Sequence, residues 1–425
     1  MSLLNTTKRK FYFVVARYFQ FWANFSLRRW HPRVIAVTGS VGKTTMLHLL
    51  ELELGSKAHY SHNANSPFGL AFDVLGLRGI TGSKAYWAWL FVAAPCRAFT
   101  FTRHSEFYVA EIDGERPRET EFVATWLKPE ITAWVSLGRS HAVFYDGQVA
   151  SGLFKTVDDA IAHEFASLPR ATQKLILIDG QNQAMADAVN GLGATIEATS
   201  TDDLKNYQVW PQKTIFSMNS GDFTFATPLP KEIAIQLGMV ENIMNYLELP
   251  VAHDMSNFVQ PPGRSSYFKG IKNTNLIDST YNAHLISMES VLEMMNAMQT
   301  GAKWLVIGDI VEQGKSEADQ HQKLGQILSH IDVERIVLVG RRLKQYALPV
   351  LEKSELADKV VSFTATTDAL KYITSELQGG ETILLKGSQY LEWIVEKLLV
   401  DPGDVSKLAR QEPAAKKRRA KWGLN

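Results

Sequence analysis

The 425-residue chain has very little cysteine, no excess of either charge and no long apolar run. Its single cysteine, Cys96, excludes a disulfide framework and a multi-cysteine zinc site, which fits a reducing cytoplasm. Lys and Arg total 45 against 44 Asp and Glu, so net charge gives no case for nucleic-acid binding by the whole chain. No secretory signal is evident. We therefore expect a cytoplasmic protein whose length indicates two or three domains.

Residues 1–30 are rich in aromatic and basic side chains and are predicted to form an amphipathic helix. Its apolar part is interrupted by Arg17, Gln20 and Asn24 and is shorter than the roughly 20 apolar residues that a spanning helix needs. The helix either lies on the inner face of the membrane or packs on the neighbouring domain. A second aromatic run, residues 86–101, is predicted to be a buried helix or a hydrophobic cover.

Residues 34–50 predict a buried strand, a glycine loop and the start of a helix, which together bind phosphate. Glycines permit backbone angles that turn loop N–H groups towards an anion, and the following lysine and threonine suit phosphate and Mg²⁺. This compact P-loop predicts ATP and Mg²⁺ as ligands; the alternative is a simple glycine turn. The predicted loop consists of Thr38, Gly39, Ser40, Val41, Gly42, Lys43, Thr44 and Thr45.

Polar side chains follow the next predicted strands. Strand 107–113 ends in Glu111 and Asp113, and strand 131–136 is followed by His141. Ligands of an open α/β sheet bind beyond the carboxyl ends of its strands, so either acid suits the Mg²⁺ of the P-loop. The alternatives are that an acid caps a helix or pairs with a nearby arginine, and that the histidine is structural.

The loop at residues 62–69 carries Asn63, Asn65 and Ser66 before an apolar helix. These side chains suit hydrogen bonds to phosphate, metal-bound water or substrate. They equally suit an Asx-turn and a helix cap.

Strand and helix patterns alternate to about residue 200, restart after a turn-rich junction at 260–265 and continue to about residue 399. The predicted fold is α/β: a P-loop doubly wound domain at 31–260, then a second Rossmann-like domain at 261–402 without a P-loop. Residues 403–425 form a basic tail, for which the default expectation is solvated disorder and the alternative is contact with anionic lipid.

This series of motifs resembles the Mur ligase family, and within it the MurF type. The resemblance covers about residues 34–399 and rests on several ordered segments. They are residues 38–45, 63–69, 109–113, 262–264, 277–284, 306–314 and 385–388.

The resemblance implies roles for individual residues. Lys43, Glu111, His141 and Arg264 would be catalytic, with Thr44, Glu111 and His141 on the metal. Besides the loop, Asn242, Arg264 and Asp278 would bind ATP. Substrate would meet Asn63, Asn65, Ser66, Tyr281, Asn282, His284 and Lys386.

Three departures limit this transfer of roles. Only about thirty residues precede the ATP strand, where the MurF type has a domain that binds the uridine nucleotide. The family usually has a carbamylated lysine on the helix after the histidine; the predicted helix at 158–168 contains none, and Lys155 lies just before it. Asn242 matches the family's adenine motif only loosely.

We therefore expect a monomeric ATP-dependent amide ligase of cell-wall precursor synthesis, acting through an acyl phosphate. Its partners would be a muropeptide-like acid and an amino acid or dipeptide, with no nucleic acid and with peripheral membrane contact through the N-terminal helix and basic tail. Two alternatives stay open: a related ligase for another acid, such as a lipid-linked muropeptide, a poly-amino acid or a folate-like substrate, and a non-catalytic ATP-binding scaffold.

Overall fold

A computed structural model of the protein describes residues 3–62, 64–79, 83–281 and 283–424. The chain forms two compact units. The first comprises residues 1–200 and 235–251, and the second comprises residues 201–234 and 252–425. The second unit thus takes in a segment that precedes the predicted junction at 260–265. The predicted domain bounds stay a prediction, because a division of the chain by compactness does not test where the domains of a family begin and end.

The first unit is built on a six-stranded parallel sheet with the order β2-β3-β1-β4-β5-β6. Strands β1, β3, β4 and β5 are buried on both faces, which explains their nearly continuous apolar sequences, whereas the edge strand β6 is largely exposed. The chain leaves β1 in one direction for β2 and later crosses back to β4, so β1 lies between β3 and β4 at the point where strand order reverses. The strands are β1 (Arg33–Thr38), β2 (Ala58–Tyr60), β3 (Phe107–Ile112), β4 (Ile131–Trp134), β5 (Leu175–Asp179) and β6 (Thr195–Thr199).

Helices cover this sheet. They are α1 (Leu3–Trp30), α2 (Lys43–Leu54), α3 (Pro67–Val74), α4 (Lys84–Thr100), α5 (Glu119–Leu127), α6 (Asp146–Ala150), α7 (Val157–Phe165), α8 (Ser167–Ala171), α9 (Gln183–Val189) and α10 (Ile233–Tyr246), whose first two residues belong to the second unit.

The N-terminal helix α1 packs on the first unit along one face. The side chains of Ala16, Phe19 and Ala23 are buried. They form one apolar core with side chains of α3, α4 and α5 and with alternate residues of β1 and β3. The packing alternative for residues 1–30 is thus confirmed for that face. The prediction of a buried helix or a hydrophobic cover at residues 86–101 holds in its second form, because α4 packs one side on the core while Trp89 and Val92 on its other side are exposed.

The second unit contains two sheets. A small sheet has the order β10-β9-β8-β7, and a six-stranded sheet has the order β11-β12-β16-β13-β14-β15, parallel except at β11. The strands are β7 (Asn206–Trp210), β8 (Lys213–Ser217), β9 (Asp222–Phe225), β10 (Asp254–Met255), β11 (Ser266–Lys269), β12 (Asn275–Asp278), β13 (Lys303–Gly308), β14 (Arg335–Val339), β15 (Val360–Phe363) and β16 (Thr382–Lys386).

The helices of this unit pack on the large sheet in two apolar clusters, one on each face. They are α11 (Leu285–Ala297), α12 (Glu317–Leu328), α13 (Leu348–Leu351), α14 (Thr366–Glu376), α15 (Leu391–Leu398) and α16 (Pro413–Ala420).

The prediction of solvated disorder for the tail is wrong for most of its length. Helix α16 begins at Pro413, which fits the first turn of a helix. Arg419 is buried and pairs with Glu396 at 2.9 Å, and Leu424 joins the apolar core. These contacts give the basic run a packed side that its composition does not reveal.

Candidate active site

The predicted phosphate loop lies at the carboxyl end of β1. Gly39 and Gly42 have φ values of 138° and 85°, in the region that favours glycine. A Cβ on Gly39 would lie 2.7 Å from the Ser136 carbonyl oxygen, so the close approach of the loop to the end of β4 also requires glycine. Helix α2 begins immediately after Gly42, and its first N–H groups have no acceptor within the helix.

Ser136 fixes the loop to the chain after β4. Its carbonyl accepts the Ser40 N–H at 3.1 Å, its hydroxyl oxygen accepts the Val41 N–H at 2.9 Å, and that hydroxyl donates to the Val41 carbonyl at 2.8 Å. The Ser40 hydroxyl donates to the Gly138 carbonyl at 2.6 Å. Two loop amides are therefore already bonded within the protein, and a bound phosphate would rely mainly on the first amides of α2.

Lys43 is buried and directed across the loop. Its Nζ donates to the Gly39 carbonyl at 2.6 Å and pairs with Asp113 Oδ1 at 3.3 Å. Asp113 therefore pairs with the loop lysine, a partner that differs from the helix cap and the nearby arginine considered for an acid at this strand end. A phosphate at the loop would provide the ammonium with a stronger acceptor than a neutral carbonyl.

Thr44 and Glu111 meet as the sequence predicts. The threonine Oγ1 donates to Glu111 Oε1 at 3.2 Å, and Glu111 lies on β3 opposite Val37 of β1. Ligand oxygens around Mg²⁺ at 2.0–2.1 Å are about 2.9 Å apart in octahedral geometry, so this pair fits two adjacent positions with a small adjustment. Hydroxyl and carboxylate oxygens are also the ligand types that Mg²⁺ prefers.

The asparagine-rich loop lies against the end of β3. The Ser61 hydroxyl oxygen accepts the Glu111 N–H at 2.8 Å, and the Asn65 carbonyl accepts the Asp113 N–H at 3.0 Å. Ser66 caps α3 by accepting the Gly69 N–H at 3.2 Å, so the helix-cap alternative holds for its hydroxyl. Asn63 lies outside the described residues.

Three further predicted positions belong to this unit. His141 follows β4 in a left-handed conformation, three residues after Gly138, at the end of the sheet where the loop lies. Asn242 is half-buried on α10. Lys155 is exposed before α7. The metal, adenine and carbamate roles considered for these residues stay predictions.

In the second unit, Asp278 and Lys386 lie at the carboxyl ends of the paired strands β12 and β16. Asp278 Oδ1 accepts the Thr280 N–H at 3.0 Å and its hydroxyl at 2.7 Å, and burial raises the pKa of the carboxyl group. Lys386 Nζ donates to the Ser279 carbonyl at 3.3 Å. Burial, and then the charge of Arg264, lowers the lysine pKa to about 7, while Asp278 opposes that shift.

Arg264 stacks on an aromatic ring beside these groups. Its guanidinium carbon lies 4.1 Å from the centre of the Tyr281 ring, and that of Arg410 lies 5.8 Å from it. Arg410 also donates to the carbonyls of Thr280 and Tyr281 at 2.9 and 2.8 Å. The predicted residues Arg264, Asp278, Tyr281 and Lys386 are thus brought together. His284 begins α11 nearby in the chain, and Asn282 lies outside the described residues.

The segment 306–314, one of those on which the family resemblance rests, connects the ends of two neighbouring strands through hydrogen bonds. The chain after β13 touches the chain after β16: the Ser388 N–H and hydroxyl donate to the Asp309 carbonyl at 3.1 and 2.7 Å. His321 Nε2 accepts the Ile310 N–H at 3.1 Å, while Nδ1 lies 2.7 Å from the Glu317 carbonyl. This arrangement requires a neutral ring with its proton on Nδ1, consistent with burial lowering the pKa of His321.

Known proteins resemble this chain in sequence. Residues 263–389 match the family described as Mur ligase, glutamate ligase domain. The UDP-N-acetylmuramoyl-tripeptide–D-alanyl-D-alanine ligase of Bacillus subtilis is 23% identical over 408 residues, which cover 87% of this chain and 76% of the relative. That of Escherichia coli is 22% identical over 373 residues, which cover 84% and 74%. Residues 263–389 therefore match a Mur ligase domain, and most of the chain resembles these ligases in sequence.

Solved MurF structures share the fold of this chain. MurF from Acinetobacter baumannii superposes with a TM-score of 0.70 at 19% identity, covering 90% of this chain and 79% of that one. MurF from Thermotoga maritima, solved in complex with ADP, gives 0.69 at 16% identity and covers 95% and 84%. These likenesses confirm the predicted fold class, a P-loop α/β domain followed by a Rossmann-like α/β domain.

Proposed function

We propose that this chain is an ATP-dependent carbon–nitrogen ligase that joins an amine to a substrate carboxylate. The observation that carries the proposal is the contact between Thr44 and Glu111 directly beside the Lys43 ammonium at the end of β1. A phosphate loop with a carboxylate partner is what phosphoryl transfer requires, because that reaction depends on positioning and charge neutralisation. The activity named for the Bacillus subtilis and Escherichia coli relatives supports the same assignment.

The proposed reaction has two steps. A carboxylate oxygen of the acceptor attacks the γ-phosphorus of ATP, the bond to the β,γ-bridging oxygen breaks, and ADP leaves an acyl phosphate behind. The amine nitrogen then attacks the acyl carbon, the carbon–oxygen bond to phosphate breaks, and loss of a proton from nitrogen gives the neutral amide. Atoms balance with ADP and inorganic phosphate as products, and no nucleophilic serine or cysteine is needed.

In this proposal the chain positions charge in the first step. Lys43 and the first amides of α2 hold the phosphates, and the lysine exchanges its bond to the Gly39 carbonyl for one to a phosphate oxygen. Thr44 and Glu111 would hold Mg²⁺, with His141 as a further ligand. When bound, the ion neutralises charge that develops on the phosphates.

The second unit would contribute binding groups. Arg264 is proposed to bind ATP phosphates, Asp278 the nucleotide, and Tyr281 and Lys386 the substrate. The stacking of Arg264 on Tyr281 and the burial of Lys386 beside Asp278 support a preorganised cationic site. Roles for Asn63, Asn65, Ser66, Asn242, Asn282 and His284 follow from the family resemblance alone.

The substrates proposed first are those named for the relatives, a UDP-N-acetylmuramoyl-tripeptide and D-alanyl-D-alanine. A lipid-linked muropeptide is the second candidate, favoured by exposed aromatic side chains on α1 and α4. Peripheral contact with the inner face of a membrane is proposed on the same ground. A monomer is also proposed, and analytical ultracentrifugation tests it.

The test is phosphate release by purified protein with ATP, Mg²⁺, UDP-N-acetylmuramoyl-tripeptide and D-alanyl-D-alanine, each omitted in turn. Release that requires all four components, together with a peptide product of matching mass, supports ligation. Lys43→Ala is the blank, and Lys57→Ala, an exposed lysine after α2, is the matched control.

The remaining outcomes separate the alternatives. Release with a lipid-linked donor and none with the nucleotide-linked donor would replace the first substrate by the second. ATP binding without release for any acid and amine would favour the scaffold and would overturn the ligase proposal.

A further inference from the structure

The proposed ligase chemistry does not use the outer surface of α1 and α4. Both helices bury one side in the same apolar core. Their other side carries six large apolar side chains, each more than half exposed, which we call the apolar face. They are Phe11, Val14 and Phe21 of α1 and Trp89, Val92 and Phe99 of α4. An apolar surface of this kind indicates an interaction site.

The apolar face continues from one helix to the other. The ring of Phe99 lies 6.0 Å from that of Trp22 and 5.0 Å from that of Phe25, measured between centroids. Trp22 in turn lies 4.9 Å from Phe21. Further along, the Tyr18 hydroxyl donates to the Phe91 carbonyl at 2.5 Å. The exposed rings therefore form one surface across the helix pair.

The charges of the two helices are all of one sign. Helix α1 contains six basic residues and α4 contains two, and neither sequence contains an acid. Arg17 and Arg28 are exposed on α1, four and seven residues from Phe21, and so lie on the same side of the helix. Arg29 donates to the carbonyls of Ala98 and Phe99, which ties the last turns of both helices together.

We propose that the apolar face binds the surface of a bilayer containing anionic phospholipid. Tryptophan and phenylalanine suit the boundary between headgroups and acyl chains, and arginines beside them suit lipid phosphates. The exposed side of α4 includes Trp89, Val92 and Phe99. Arg97 donates instead to the carbonyls of Leu75 and Gly76, so the exposed side is the part that enters the headgroup layer.

This binding is peripheral. None of the helices in the described part of the chain combines the length and apolarity needed to cross a bilayer. The complementary charge favours anionic lipid over an uncharged apolar partner, because the exposed Arg17 and Arg28 would otherwise be covered without a counter-charge. The inference goes beyond the proposed ligase activity, since lipid binding requires neither ATP nor either substrate.

The experiment is flotation of the full chain with vesicles of phosphatidylcholine alone or with about 30 mol% phosphatidylglycerol, without nucleotide. We expect at least about tenfold more bound protein on the anionic vesicles, and weaker binding at high salt. Phe21→Glu and Val92→Glu should each lower binding about tenfold, because they place a carboxylate against lipid. Arg17→Gln should lower binding less and reduce its salt dependence.

Leu153→Glu is the matched control, since Leu153 and Phe21 are both 64% exposed in the first unit but Leu153 lies outside the apolar face. It should bind vesicles as the wild type does. Circular dichroism and gel filtration verify that each variant is folded. A brominated phospholipid should quench wild-type fluorescence more than that of Trp89→Phe, which places the indole at the lipid.

Three results would overturn the inference. One is a folded wild type that does not float with anionic vesicles. Another is binding that Phe21→Glu and Val92→Glu leave unchanged. The third is a dimer in solution that these substitutions dissociate, because the apolar face would then join two copies of the chain. Because no ATP is present, inactivity as a ligase affects none of these outcomes.

Discussion

Each unit has a buried lysine near the carboxyl end of a parallel strand, but the surroundings of the two lysines differ. Lys43 follows β1 and is held by the Gly39 carbonyl and the Asp113 carboxylate. Lys386 ends β16 and is buried beside Arg264 and Asp278, where its pKa falls to about 7. The first lysine has an anionic partner at 3.3 Å, whereas the second faces a repelling cation and a carboxyl group whose own pKa is raised by burial.

This difference indicates two ways to prepare a cationic site. At Lys43 the Asp113 carboxylate balances the ammonium charge until a bound phosphate takes the place of that carboxylate. At Lys386 burial removes much of the preference for the charged form, so an arriving anion would raise the lysine pKa and bind together with a proton. The predictions below test whether the two lysines differ in this way.

The largest effect is expected for Lys43→Ala. Loss of a preorganised cation on the transferred phosphoryl group lowers the rate of such reactions by roughly 10²–10³-fold. We expect a decrease of that size in the turnover of the phosphate-release assay, with Lys57→Ala close to wild type. Equal turnover in the two variants would mean that the loop of the first unit is not where phosphoryl transfer occurs.

The next effect concerns the backbone contact between the ends of β13 and β16. A Cβ on Gly387 would lie 2.5 Å from the backbone nitrogen and oxygen of Gly308, and the φ of 129° also favours glycine. Gly387→Ala should therefore cost about 2–5 kcal/mol of unfolding free energy in urea denaturation, from strain and overpacking together.

Gly380→Ala is the control for that variant. Gly380 also has a positive φ, 87°, but a Cβ there would meet no atom within 4 Å. Gly380→Ala should lower the unfolding free energy only by the contribution of backbone strain, about 1 kcal/mol. If both alanine variants were equally stable, the close backbone approach would not be what holds the Lys386 strand end in place.

The pH dependence of stability tests the surroundings of Lys386. Its folded pKa of about 7 is below the ordinary value of 10.5, so the unfolded chain binds the extra proton between these values. Stability from this group therefore rises with pH from about 7 to 10, by up to about 1.4 kcal/mol per pH unit.

Lys386→Met should remove that slope. Between pH 7 and 9 the wild type should gain up to about 2.7 kcal/mol in urea unfolding free energy relative to this variant. Lys344→Met, at an exposed lysine of the same unit, should follow the wild type. Parallel curves for wild type and Lys386→Met would show that the lysine keeps its ordinary pKa despite burial.

Local patterns made the first site predictable. Residues 38–45 are contiguous, and the contact of Thr44 with Glu111 follows because parallel strands present their carboxyl ends at one edge. The hydrogen bonds of Ser136 to the loop were not predicted, although the position of this serine at the end of predicted strand 131–136 was a usable signal. The position of Gln236 beside Gly42 had no such signal, since it depends on how α10 packs.

Packing decided the features that the sequence left open or that were predicted wrongly. Periodicity identifies an apolar helix at 86–101 but does not show how many other helices pack on it. The sequence therefore did not predict which side of α4 is exposed. The tail was misjudged because a basic composition says nothing of a single buried pair such as Arg419 with Glu396. In the second unit, the grouping of Arg264 with Lys386 was predicted only through the family resemblance.

The smallest effect is expected at Tyr281, which supports Arg264. The guanidinium lies over the ring at 4.1 Å, and an exposed cation–π contact contributes about 0.5–1 kcal/mol, or two- to fivefold in affinity. Tyr281→Leu should raise the KM for ATP by that factor with turnover unchanged, while Tyr281→Phe, which keeps the ring, should stay near wild type. An equal effect of both variants would assign the contribution to the hydroxyl group and not to the ring beneath Arg264.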